Sequence, residues 1–168
     1  MSILATIMDR TQRGQLYEVV PRSSRDLRLR RLYLSESLWL ELRAPRSSEA
    51  EIQRFADLEA DLEVYVNRRQ LGPEYLFGLS PRGCGVWEIR SVWDPHIRVF
   101  GMFMGKDLFI ATHLEMRNDL GPFESQDWIR AKRETKAKIR NLMGPYNPII
   151  DSDVNNLVSG AMNGQYFK

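Results

Sequence analysis

Residues 86–114 read VWEIRSVWDPHIRVFGMFMGKDLFIATHL, and the architecture turns on how this segment divides into strands. Aromatic and β-branched residues fill three extended runs, Val86 to Val92, Ile97 to Met104 and Asp107 to Leu114, each of strand rather than helix length. Asp94-Pro95 separates the first two runs and Gly105-Lys106 the last two. A glycine at the first central position of a two-residue loop suits a type II′ turn, whose twist matches that of antiparallel neighbours. The three runs are therefore expected to form an antiparallel meander. A turn at Gly105-Lys106 pairs Met104 with Asp107 and, counted outward, places Arg98 opposite His113 on one face, with Cβ atoms roughly 5 Å apart. If the first loop is Asp94-Pro95-His96, Arg90 lies diagonally near Arg98 on that face.

Helical spacing flanks this core on both sides. Ser48-Glu49-Ala50-Glu51 has the spacing of a capping box. Ile52, Phe55, Leu58, Leu62, Tyr65 and Val66 then recur at three- and four-residue steps, predicting a helix that Gly72-Pro73 stops. From Ser125 to Met143 the spacing returns through Trp128, Ala131, Thr135, Ile139 and Leu142, and Gly144-Pro145 closes it. The outer face of this second helix carries Arg130, Lys132, Arg133, Lys136, Lys138 and Arg140. Upstream, Ser37-Leu38-Trp39-Leu40-Glu41-Leu42-Arg43, closed by Pro45, reads as a strand. The fold class predicted is α+β, a short antiparallel sheet packed by one helix from the N-terminal half and one basic C-terminal helix. Residues 36–143 would form the domain, residues 1–35 an N-terminal extension and residues 144–168 a tail rich in Asn, Gly, Ser and Asp.

Composition bounds the function classes. A chain of 168 residues, 43% hydrophobic and 27% charged, suits a single folded domain. No window approaches the roughly 18 apolar residues needed to span a bilayer, so a cytoplasmic protein without a membrane partner is expected. Cys84 is the only cysteine and there are two histidines, so neither an internal disulfide nor a metal site is expected, and no cofactor motif is present. The formal net charge is only +2, but basic residues gather at Arg22 to Arg31 and Arg130 to Arg140 while acidic ones fill Glu49 to Glu63. Either basic cluster can face phosphate.

The residue types near the meander have a definite chemistry. Two guanidinium groups can hold a phosphodiester and stabilise charge developing on it, and an imidazole can transfer a proton near neutral pH. The plainer reading makes Arg98 and His113 a half-exposed cross-strand pair, with Arg90 bound to Glu88 or Glu115. The basic helix face likewise reads either as a solvated surface or as a phosphate-binding one. Cys84, between two glycines, reads as a loop residue, and Trp87 and Phe103 as core.

The order of elements, together with Val86-Trp87-Glu88-Ile89-Arg90 and Ile97-Arg98-Val99-Phe100, resembles the RelE/HigB toxin superfamily, and its phage-derived HigB-like relatives in particular, over about residues 72–143. The resemblance implies a toxin of a toxin–antitoxin system, an endoribonuclease that cuts mRNA without a metal, commonly on the ribosome; a sister branch, ParE-like, poisons gyrase. It implies Arg90, Arg98 and His113 as catalytic residues and Arg117 as an RNA-binding residue, to which the basic helix face, read as a phosphate-binding one, would add Arg130, Arg133, Lys136 and Arg140. It also implies a short acidic antitoxin covering the basic face. The family's F-x-K-K segment reads Leu114-Glu115-Met116-Arg117 here, keeping one cation of two and adding a carboxylate. That substitution motivates the alternative of a catalytically inactive relative acting as an interaction module.

Overall fold

The computed structural model describes residues 1–23, Arg25 and residues 27–167. Six strands, β1 (Leu16–Glu18), β2 (Arg31–Ser35), β3 (Leu76–Gly78), β4 (Trp87–Arg90), β5 (Ile97–Gly105) and β6 (Leu108–Met116), form one sheet in the order β1-β2-β6-β5-β4-β3. All neighbours are antiparallel except β2 and β6, which are parallel. The class is α+β as expected, but the sheet is larger and mixed. A parallel pair needs a crossover, and here it runs through α2 (Glu36–Arg43), α3 (Glu49–Asn67) and the strands between.

Alternation along the strands gives the sheet two apolar faces. Leu32, Leu34, Val99, Phe103 and Phe109 meet α2 and α3 on one side. Tyr33, Phe100, Met102 and Ile110 meet α1 (Ile3–Gln12) and α4 (Gln126–Met143) on the other. Residues 1–35, expected as an extension, thus supply α1, β1 and β2. The tail is docked as well: Leu157, Val158, Tyr166 and Phe167 are buried in the α3-side core. Arg30 fixes this arrangement, its guanidinium donating to the carbonyls of Tyr65 (2.7 Å), Arg68 (2.8 Å) and Ser159.

Three local expectations are corrected. Ser37–Arg43 is helical, because Ser35 ends β2 and caps α2, its hydroxyl accepting from the Leu38 amide at 3.4 Å and donating to the Thr112 carbonyl at 2.7 Å. Leu38 and Leu42, one turn apart, then point inward while Leu40 is 59% exposed. In α3 the Ser48 cap is as expected, accepting from the Glu51 amide, but Ile52 is 56% exposed and the inward stripe starts at Phe55.

The third correction concerns register. The loop is Lys106-Asp107, flanked by the Gly105–Leu108 pair, and not Gly105-Lys106. Asp107 adopts φ 59° to make it. With an irregularity at Phe100/Gly101, His113 pairs with Phe100 and Arg98 with Glu115. The expected Arg98–His113 pair is therefore a diagonal one, two residues out of register, although both side chains remain on the α4 face.

Candidate nucleic-acid interface

The catalytic candidates lie on the face of the sheet that α4 packs against. Arg90 and Arg98 are directly opposed across β4 and β5, closer than the expected diagonal, because the connecting loop takes residues 91–96. Between them Glu88, fully buried, accepts from Arg90 Nε at 2.5 Å and lies 3.5 Å from Arg98 Nε. Arg90 also rests over the Phe77 ring at 3.9 Å. Arg98, with a side chain only 12% exposed, is pushed down from the usual guanidinium range by burial, against which the Glu88 carboxylate works. Arg90 thus hydrogen-bonds the buried carboxylate, which would be strongly destabilising if left alone, while Arg98 stands in ionic contact with it, its Nε without a hydrogen-bond partner among the described residues.

His113 is covered. Its ring stacks on Phe100 at 5.1 Å, and Phe100 in turn meets the edge of Trp128 from α4. Nδ1 is 3.0 Å from the Thr112 hydroxyl, while Nε2 has no hydrogen-bond partner among the described residues and lies 4.0 Å from the Glu134 carboxylate. Burial pushes its pKa down to about 4, outweighing the opposite pull of Glu134. The imidazole is neutral at pH 7 and has α4 between it and solvent.

Among the expected RNA-binding residues, Arg117 donates to the Gly121 carbonyl at 3.1 Å, its guanidinium carbon 5.5 Å from the centre of the Trp128 ring. Arg130 is paired with Asp127 at 2.9 Å. Arg133, Lys136 and Arg140 are the ones brought together. They follow one another at three- and four-residue steps on α4, so they form a single stripe. That stripe forms one wall of a groove of about 590 Å³ whose other wall is the loop Pro81-Arg82-Gly83-Cys84. Arg82 and Lys132 complete a set of five cations, and among the described residues no carboxylate lines the groove.

The groove has a local cause. Lys132 Nζ donates to the Ser80 carbonyl, pinning the loop beside the helix, and Gly83 and Gly85 carry the loop through positive φ. Arg82 turns back over the Phe167 ring at 4.7 Å. Sequence reasoning missed Arg82 because the loop is some fifty residues from α4 and only the folded sheet joins them. The glycine spacing of Gly83-Cys84-Gly85 was the available signal that backbone there makes a close turn. Among the described residues no group of three or more metal-ligating side chains is found, and no helix is long and apolar enough to cross a membrane.

Comparison with known proteins yields no match to this chain among family models, curated proteins or solved structures.

Proposed function

We propose that this protein binds the phosphate backbone of RNA in the groove between α4 and the Pro81–Cys84 loop. The observation that carries the reading is the convergence of Arg82, Lys132, Arg133, Lys136 and Arg140 on one surface with no intervening carboxylate among the described residues. Clustered like charges cost stability unless an anion neutralises them, and guanidinium and ammonium groups spaced along a helix are suited to successive phosphates. The resemblance of residues 72–143 to RelE/HigB toxins favours RNA as the strand, and the sheet backed by a basic helix accords with a RelE-like architecture. An acidic protein partner of the antitoxin kind would compete for the same face.

A second reading, metal-independent mRNA cleavage by Arg90, Arg98 and His113, draws support from the directly opposed arginines and from His113 on the same face of the sheet. The occlusion of His113 by α4 and its neutral state weigh against it as proton donor. Incubating labelled mRNA in excess chelator with the wild type, His113→Ala and Arg133→Glu/Lys136→Glu proteins separates the two. Binding without cleavage, lost in the charge-reversed variant and kept in His113→Ala, is the expected result. Cleavage abolished by His113→Ala would replace the first reading with the second. Absence of binding by every form would overturn both.

A further inference from the structure

A second cavity, of about 210 Å³, continues the groove along α4: Cys84, Lys136 and Arg140 line both. Beyond these shared residues the walls are mainly apolar, formed by Met102, Ile139, Tyr146, Pro148 and Ile150, with the polar Asn147 among them. The volume equals roughly seven waters at liquid density, room for one planar heterocycle. Its shape follows from how the helix ends. Gly144, at φ 60°, donates its amide to the Arg140 carbonyl at 2.9 Å, and Pro145 prevents another turn. The chain then doubles back and is pinned beside β5 by the Ile149 amide, which donates to the Phe103 carbonyl at 2.8 Å. Gly85 lies against two of these wall residues, and a Cβ there would lie 3.0 Å from both Ile150 Cγ1 and Met102 Cε. Ile150 remains 57% exposed at this cavity.

An apolar slot of this size beside a row of cations matches a ligand with a heterocycle attached to a phosphate chain. We infer that the cavity takes one unstacked base of a single-stranded nucleic acid whose flanking phosphates occupy the groove, an inference that rests on the phosphate-binding reading above. Duplexes keep their bases stacked and paired, whereas a single strand can turn one base out against a side-chain wall. Tyr146 and Ile150 offer that wall, and Asn147, exposed and lining the same cavity, supplies an amide for a base edge. The chemistry recognised is common to single-stranded RNA and DNA.

The test compares fluorescence anisotropy titrations of four labelled strands of equal length: RNA, DNA, an abasic deoxyribose-phosphate strand, and an RNA duplex. The abasic strand and the duplex are expected to bind about five- to a hundredfold more weakly than the base-bearing single strands, the range set by base stacking. The tighter of the RNA and DNA strands identifies the source of the base. Ile150→Ser, at an exposed position, should bring the base-bearing strands down toward the abasic one while leaving abasic binding unchanged. Equal binding of abasic and base-bearing strands would overturn the base pocket and leave the phosphate groove standing. Failure of all four strands to bind would overturn the groove, and the pocket with it.

Discussion

Removing two cations from the groove should change how RNA binding responds to salt, by an amount that follows from the geometry. Of the five cations in the groove, Lys132 already donates to the Ser80 carbonyl, which leaves Arg82, Arg133, Lys136 and Arg140 for phosphates. Each phosphate neutralised on a single strand contributes about −0.7 to the slope of log K against log salt, so four give about −3. Raising salt from about 50 to about 200 mM should then weaken wild-type binding about fiftyfold. Arg133→Ala/Lys136→Ala leaves two cations, a slope of about −1.4 and a loss of about sevenfold over the same range. Both side chains are exposed on α4, where substitution rarely alters stability by more than about 0.5 kcal/mol, so unfolding does not confound the comparison. Arg130→Ala, which removes a residue paired with Asp127 away from the groove, serves as the control with an unchanged slope. Anisotropy titrations of labelled single-stranded RNA at several salt concentrations read the slopes directly. Parallel slopes for the wild type and the double variant would refute the assignment of phosphates to this stripe.

Three further outcomes test the fold around the groove. Gly101→Ala drives a Cβ into the Ile110 carbonyl and the Phe109 ring across the bulge and should lower the free energy of unfolding in urea by about 3 kcal/mol; an unchanged midpoint would show that β5 and β6 can separate there. Phe167→Ala empties the space against Trp87, 4.8 Å away, at about 3 kcal/mol or more, and should lower Tm by about 10 °C in a thermal melt. A smaller shift than about 2 °C would show that the tail does not dock. Burial holds His113 at about 4 rather than 6.5, so between those values the unfolded chain binds more protons. Stability from this group is complete above about pH 6.5 and declines by up to about 3 kcal/mol as pH falls toward 4. His113→Gln, which keeps Glu134 and Lys138 in place, should flatten that limb of urea midpoint against pH; identical limbs would place the imidazole in solvent.

What could be read from the chain was whatever local periodicity specified. The α3 stripe from Phe55 to Val66 and the α4 stripe from Trp128 to Ile139 repeat over several turns, long enough for apolar spacing alone to define a helix. The three runs of residues 86–114 likewise mark β4, β5 and β6. The hairpin register was not legible, because Asp107 is held in the turn by partners fifty residues away. Its amide donates to the Leu157 carbonyl at 2.9 Å, and its carboxylate accepts from the Ser159 amide at 2.6 Å and hydroxyl at 2.5 Å. Those bonds draw the turn one residue along, against the preference of Gly105 for the first loop position. The residues of α2 failed for a different reason: eight residues with two buried leucines satisfy either period, and the Ser35 cap that decides between them also ends a strand. The Arg133–Arg140 side of the groove was visible as a charge stripe, while the Arg82 side depended on long-range pairing.

The same helix settles how the two sets of charged residues can be used. Through Trp128, Ala131, Thr135 and Ile139, α4 seals the sheet, covering Phe100 and with it His113. Through Lys132, Arg133, Lys136 and Arg140 it makes one wall of the groove. These stripes occupy different sides of one cylinder, so the helix cannot swing away from His113 and still present its cations against the Pro81–Cys84 loop. Exposing His113 would also open Trp128 and Ile139 to water, at about 2 kcal/mol for each large apolar side chain. The half-buried arginines around Glu88 share its one carboxylate, so an anion reaching them would have to compete with an ion pair already made inside the protein. The exposed cations of the groove have no such partner among the described residues and release counterions when a phosphate arrives. In this conformation, then, His113 stays covered, and the groove is the surface an anion can reach without the fold first coming apart.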